Sequence, residues 1–153
     1  MRKIDQIDIE ILAELEEDAR ISIIELTRRL GYPGSTIRDR IRRMEEDGII
    51  EGYHTILDHT KLGFNIKAII QITSTHSDSL EETISAVGPF PEVTNIQFVT
   101  GEVDELITIY ARDVNHLKDI LYSKFNKLNW QSRLNTMIIL HEQPFPFVRN
   151  LKV

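Results

Sequence analysis

Apolar residues recur at helical spacing through the first third of the chain. Ile7, Ile11 and Leu15 lie four apart, with Ile4 and Leu12 beside them and Asp5 placed as an N-cap, which predicts a first helix of about three turns. Ser22 and Glu25 have the S-x-x-E spacing of a capping box, Leu26 and Leu30 form one apolar edge, and Gly31 supplies a stop, so a short second helix is expected. Tyr32-Pro33-Gly34 reads as a turn. A third helix is expected from about Ser35 to Asp47, with Ile37, Ile41 and Met44 on its inner face and Gly48 at its end. A leading helix followed by two helices about a tight glycine-containing turn predicts a helix-turn-helix.

The period then changes. Ile50, Tyr53, Thr55, Ile56 and Leu57 favour a strand, and Lys61 to Asn65 a turn, so residues 51–65 are expected to form a hinge strand and linker between a first domain at 1–50 and a second at 66–153. The hinge strand is placed to pair with the same strand of a second subunit. Beyond it, strands are expected at Lys67 to Thr75, Val93 to Val99, Glu105 to Ala111 and Arg133 to Glu142. Helices are expected from Asp78, with Leu80, Ile84 and Val87 on one side, and from Asp113, with Val114, Leu117, Leu121 and Phe125 on one side. The order β-α-β-β-α-β is the ferredoxin-like pattern, and the whole chain is classed as α+β. Helices on one face leave the other sheet face to be covered, most simply by a second subunit. Pro144, Phe145, Pro146 and Phe147 lie in a tail whose docking the sequence leaves open.

Charge sharpens the picture of the third helix. The chain carries a net charge of -6 and a pI near 5.4, which argues against a nonspecific nucleic-acid coat. Yet Arg28 to Arg43 holds six arginines against one acid, Asp39, a local +5. At about 100° per residue, Ser35, Asp39, Arg42 and Glu46 point away from the apolar face, with Arg38 and Arg43 on its shoulders. Small hydroxyl residues near a helix start permit close approach to DNA, and arginine offers a forked donor to guanine or phosphate. Ser35, Thr36, Arg38 and Arg42 are therefore candidates for base or nearby phosphate contact, and Arg28, Arg29 and Arg43 for phosphate positioning. The alternative is an ordinary solvated face on a three-helix bundle.

Several of these pieces together resemble the Lrp/AsnC, or feast/famine, family of transcription regulators. The resemblance rests on Asp5-x-x-Asp8-x-x-Ile11-Leu12, Asp18-Ala19-Arg20-Ile21-Ser22, Ser35-Thr36-Ile37-x-x-Arg40-Ile41-x-x-Met44-Glu45-x-x-Gly48-Ile49-Ile50, Gly52-Tyr53, Leu62-Gly63-Phe64, Thr100-Gly101-x-x-Asp104 and Ile138-Ile139-Leu140. It implies a winged-type helix-turn-helix domain and a C-terminal RAM domain for effector binding and oligomerisation. It also implies a cytoplasmic protein that binds palindromic operators in double-stranded DNA as a homodimer, or as a tetramer or octamer built from dimers. An amino acid or related metabolite would bind at Thr100, Gly101, Glu102, Val103 and Asp104, with Thr136 as the matching hydroxyl. Asp104 would suit an α-ammonium group and the turn's N–H groups a carboxylate. The chain departs from the family where Val103 stands in place of a common aromatic residue, where Pro89-Phe90-Pro91-Glu92-Val93 stands for Pro-Gly-Val, and where Pro33-Gly34 replaces a serine cap. An architectural, chromatin-like DNA binder of low sequence specificity is the alternative function.

Other chemistry finds little support. There is no cysteine, which excludes disulfides and thiolate sites. His54, His59, His76, His116 and His141 are scattered without metal-ligand spacing, so neither a metal nor a cofactor is expected. No phosphate loop, dinucleotide fingerprint or nucleophile elbow is present, so a ferredoxin-like enzyme is disfavoured. Glu81-Glu82 reads as solvated charge and Trp130 as packing. The opening residues alternate in charge and predict no signal peptide, and no apolar run approaches the roughly 18 residues of a membrane span.

Overall fold

The computed structural model describes residues 3–74, 80–128, 132–148 and 151. Its chain divides into two compact units, one of residues 1–56 with 143–153 and one of residues 57–142.

The first unit is built on α1 (Gln6–Glu17), α2 (Ile23–Leu30) and α3 (Gly34–Glu46). At α1 a full capping box forms: the Asp5 carboxylate accepts from the N–H groups of Ile7 and Asp8, and the Asp8 carboxylate accepts from that of Asp5. The box expected at α2 is only half built. Ser22 Oγ accepts from the N–H of Glu25 at 3.1 Å, but the Glu25 carboxylate turns outward to Arg28 and Arg29. Two charge-assisted bonds to guanidinium outweigh one to a backbone amide. Helix α3 starts at Gly34 behind Pro33, without a side-chain cap. A β-carbon on Gly34 would lie 3.2 Å from Ile23 Cγ2 and 3.3 Å from Thr27 Oγ1, so glycine permits the close approach of α3 to α2. Ile11, Leu26, Ile37 and Met44 are buried together, flanked by Ile7, Leu15, Leu30 and Ile41. The segment 51–58 carries no strand. Strand exists only by its ladder, and among the described residues the ladders of this chain all lie in the second unit. The tail, expected with the second domain, belongs to the first unit: the N–H groups of Phe147 and Val148 donate to the Glu16 carboxylate at 2.7 and 2.8 Å.

The second unit contains β1 (Ile66–Ser74), α4 (Leu80–Val87), β2 (Val93–Phe98), β3 (Glu105–Ala111), α5 (Val114–Ser123) with a 3-10 turn at Phe125–Lys127, and β4 (Ser132–Ile138). The sheet is antiparallel in the order β2-β3-β1-β4. Ala68, Ile70 and Ile72 of β1 and Ile107, Ile109 and Ala111 of β3 share one face, packed against Val87, Leu117, Ile120 and Phe125. Ile69, Gln71 and Thr73 therefore fall on the face opposite α4 and α5, with Leu106, Thr108 and Tyr110 beside them in register. Helix α4 is rotated from the expected face: Thr83 and Val87 are buried, while Ile84 is exposed. The cause is polar. Glu105 sits in the core, and the Thr83 hydroxyl reaches its carboxylate at 2.9 Å. Val114, expected inside, is exposed at the first position of α5. Strand β4 ends at Ile138 rather than Glu142, although the N–H of Ile139 still donates to the carbonyl of Lys67. Thr75, His76, the expected helix start at Asp78 and the packing role given to Trp130 lie outside the described residues.

Candidate functional sites

Helix α3 presents its polar face outward as its spacing predicts. Ile37 and Met44 are buried, whereas Ser35, Arg38, Arg42 and Arg43 are exposed and Thr36 is half-buried. The basic stripe is less bare than its sequence window suggests, because folding brings acids from elsewhere. Arg40 Nη1 lies 2.7 Å from Asp5 Oδ1 and 2.8 Å from Asp8 Oδ1, so this arginine serves the bundle. Arg29 bridges Glu14 at 2.7 Å and Glu25 at 2.8 Å, and Arg28 also binds Glu25. Hydrogen bonds from Arg28 and then Arg29 hold the Glu25 carboxyl down at about 2. On α3 itself, Asp39 takes Arg42 on one oxygen at 2.6 Å and Arg43 on the other at 2.7 Å. Arg38 forms no ion pair among the described residues. The outer face of α3 thus offers one bare guanidinium, two that share a carboxylate, and a serine at the helix start. That set suits the donors and acceptors of a DNA groove and its phosphates.

The second site lies at the β2–β3 turn. The N–H of Val99 donates to the carbonyl of Asp104, and the N–H of Asp104 to the carbonyl of Ile72, so the turn is stitched to the end of β1. Gly101 has φ 137° with open space about its α-carbon, so backbone conformation rather than crowding demands glycine there. Beside the turn is a cavity of about 270 Å³ lined by Gln71, Thr73, Glu102, Val103, Arg133 and Asn135. The Asn135 amide donates to the Gln71 side-chain oxygen at 2.6 Å. Of the effector residues named from sequence, Glu102 and Val103 line this cavity; Thr100, Gly101 and Asp104 belong to the turn without lining it. Thr136 pairs with Ile70 and therefore points to the helix-covered face, away from Gln71 and Asn135.

Gln71, Thr73, Arg133 and Asn135 were not legible as a site. Each is a polar residue at an alternate position of a strand, a pattern that reads as ordinary solvent face. Only the register, Gln71 opposite Asn135 and Thr73 opposite Arg133, collects them. Among the described residues no group of acidic and histidine side chains is arranged to hold a metal ion. His116 instead joins a packing network, its ring accepting from the N–H of Arg112 and lying 3.7 Å from Glu92, which also binds Lys124 at 2.6 Å.

The chain matches the profile of the winged helix-turn-helix DNA-binding family over residues 4–51 and that of the Lrp/AsnC ligand-binding domain over residues 67–144. It is 34% identical to an HTH-type transcriptional regulator of Methanocaldococcus jannaschii over 82% of this chain and 84% of that protein. Its fold is similar to that of AsnC from E. coli, with a TM-score of 0.83 and 26% identity, covering 94% of this chain and 97% of that one. It is also similar to the feast or famine regulatory protein of M. tuberculosis complexed with L-methionine, with a TM-score of 0.80 and 26% identity over 92% of this chain and 94% of that one.

Proposed function

The chain belongs to the Lrp/AsnC family of DNA-binding transcription regulators, which are not enzymes, and we propose that it binds palindromic operators as a dimer or a larger dimer-based assembly with α3 in the major groove. The observation that carries this reading is the outward face of α3, where Ser35, Arg38 and Arg42 stand exposed over a buried Ile37 and Met44. Ser35, Thr36, Arg38 and Arg42 meet base edges or nearby phosphates, and Arg28, Arg29 and Arg43 fix register on the backbone. Dimerisation is supported by the sheet face opposite α4 and α5, which carries Ile69, Leu106 and Met137. Among the described residues no helix is long and apolar enough to cross a membrane; the cytoplasm is the compartment proposed for this operator-binding regulator.

The same reading extends to an effector. The cavity beside the β2–β3 turn holds one cationic and one anionic side chain, Arg133 and Glu102, matched to the carboxylate and ammonium of a free amino acid. The Gln71–Asn135 amide pair lines the same cavity and suits the polar part of the ligand. The relative from M. tuberculosis was solved with L-methionine, which supports an amino acid as the class.

Selection of binding sites from random duplex DNA at near-physiological salt tests the central reading. One enriched palindrome is expected, and Arg42→Ala should weaken binding to it by about 1–3 kcal/mol if Arg42 reads a base. Enrichment of AT-rich or bendable DNA alone would favour the architectural reading, and unchanged affinity in both Arg38→Ala and Arg42→Ala would remove α3 from the interface.

A further inference from the structure

Asp39 is an odd residue to find on the outer face of α3. Aspartate is a poor helix former in a helix interior, and a carboxylate facing DNA repels phosphate. Stability does not explain it, since exposed ion pairs of this kind contribute little. Its geometry does suggest a role. Asp39 precedes Arg42 by three residues and Arg43 by four, and the acid-before-base order favours pairing along a helix. Each carboxylate oxygen holds one Nη2 atom, Arg42 on Oδ1 at 2.6 Å and Arg43 on Oδ2 at 2.7 Å. Glu46, 4.0 Å from Arg42 Nη1, leans on the same guanidinium from the next turn.

We propose that Asp39 is a specificity-determining residue of the DNA interface: it orients Arg42 and Arg43 as a pair and suppresses their use on nonspecific phosphate. The inference rests on the reading of α3 as the DNA-contacting helix. With one Nη2 of each guanidinium drawn to Asp39, the remaining donors are biased in direction across the rotamers of a long side chain. At a matched site, where donors meet guanine acceptors, this preorganisation favours binding. On random duplex, where phosphates are the main partners, the arginines must share with or leave Asp39, and the carboxylate adds repulsion. Asp39 therefore weakens nonspecific binding more than specific binding. Arg38, outside this cluster, supplies attraction common to both.

The test uses the full-length protein, a selected operator duplex and a random duplex of equal length, with affinities measured across a salt series by fluorescence anisotropy. Asp39→Asn keeps the shape and removes the charge, Asp39→Ala removes both, and Asp39→Glu keeps the charge. For Asn and Ala, affinity for random duplex should rise about tenfold, with a salt slope steeper by about one to two as unmasked arginines take phosphates. The ratio of operator to random affinity should fall about tenfold or more. Asp39→Glu should recover most of the ratio. A change in helix stability alone would move both duplexes together and leave the ratio intact, which would overturn the proposal, as would a ratio and slope unchanged in Asp39→Asn. Arg38→Ala separates the two readings. If it weakens both duplexes while Asp39→Asn changes nothing, the role of Asp39 fails and α3 remains the interface; if Arg38→Ala and Arg42→Ala bind like the parent, the interface itself is misplaced and the proposal falls with it.

Discussion

Removal of Arg40 should loosen the whole DNA-binding unit, although Arg40 is not among the residues assigned to DNA. Its guanidinium ties the start of α1 to the middle of α3, 2.8 Å from Asp8 and 2.7 Å from Asp5. Asp8 is 0% exposed, and the Arg40 side chain 19%. Arg40→Ala takes the guanidinium from a buried carboxylate that still accepts from the Asp5 N–H, and breaking a buried pair from one side typically costs about 3–5 kcal/mol. Because Arg40 lies near the rim, water enters the vacated space and relieves part of that, so about 2–4 kcal/mol is expected. Native-state hydrogen exchange on peptides of α1 and α3 reads this locally, with β1 and β3 peptides as internal reference. The expected acceleration is about 30- to 900-fold in the helices, at roughly tenfold per 1.4 kcal/mol, with the sheet unchanged. A cycle with Asp8→Asn isolates the cause. The double variant buries no carboxylate charge without its guanidinium, so it should exchange more slowly than Arg40→Ala alone. Helix peptides accelerated less than about fivefold, or a double variant as unstable as the sum of the singles, would refute the buried-charge account.

Three further outcomes are expected. The Glu25 carboxyl should titrate near 2 instead of 4.5, lowered by hydrogen bonds from Arg28 and Arg29. A depressed folded-state value means that its stabilisation is complete above about 4.5 and fades as pH falls toward 2; a side-chain carbon titration by NMR with a midpoint above 4 would show that these pairs do not persist in solution. Glu16→Ala should free the tail, with the amides of Phe147 and Val148 exchanging about five- to twentyfold faster, since both lose a charge-assisted bond; unchanged exchange would mean the tail is held by other contacts. An amino acid at about one hundred times its Kd should stabilise the second unit by about 2.7 kcal/mol in thermal unfolding. Arg133→Ala should remove most of that gain, and a full shift retained in the variant would place the ligand carboxylate elsewhere.

The sequence by itself determined the elements and their order, because these depend on local rules. Ile37, Ile41 and Met44 cannot share a face except on a helix, and Ser22 and Gly31 mark where α2 starts and stops. The βαββαβ order followed from strand-length apolar runs alternating with helical ones, and the outward set on α3 followed from helical angle alone. What only the tertiary structure decided was which polar groups meet. The apparent +5 of the Arg28 to Arg43 stretch was a count along the chain, and folding set Asp5, Asp8, Glu14 and Glu25 against it, leaving Arg38 outside the ion pairs of the described residues. The rotation of α4 was hidden because a buried carboxylate on β3, Glu105, draws Thr83 inward where hydropathy alone favours Ile84. The cavity at the β2–β3 turn was hidden for the same reason. Strand pairing joins Gln71 to Asn135 and Thr73 to Arg133 across some sixty positions of sequence, and it turns Thr136 to the other face. Periodicity reports which side of its own element a residue occupies; the partner across the ladder or the bundle is set by packing and register, which depend on the whole chain at once.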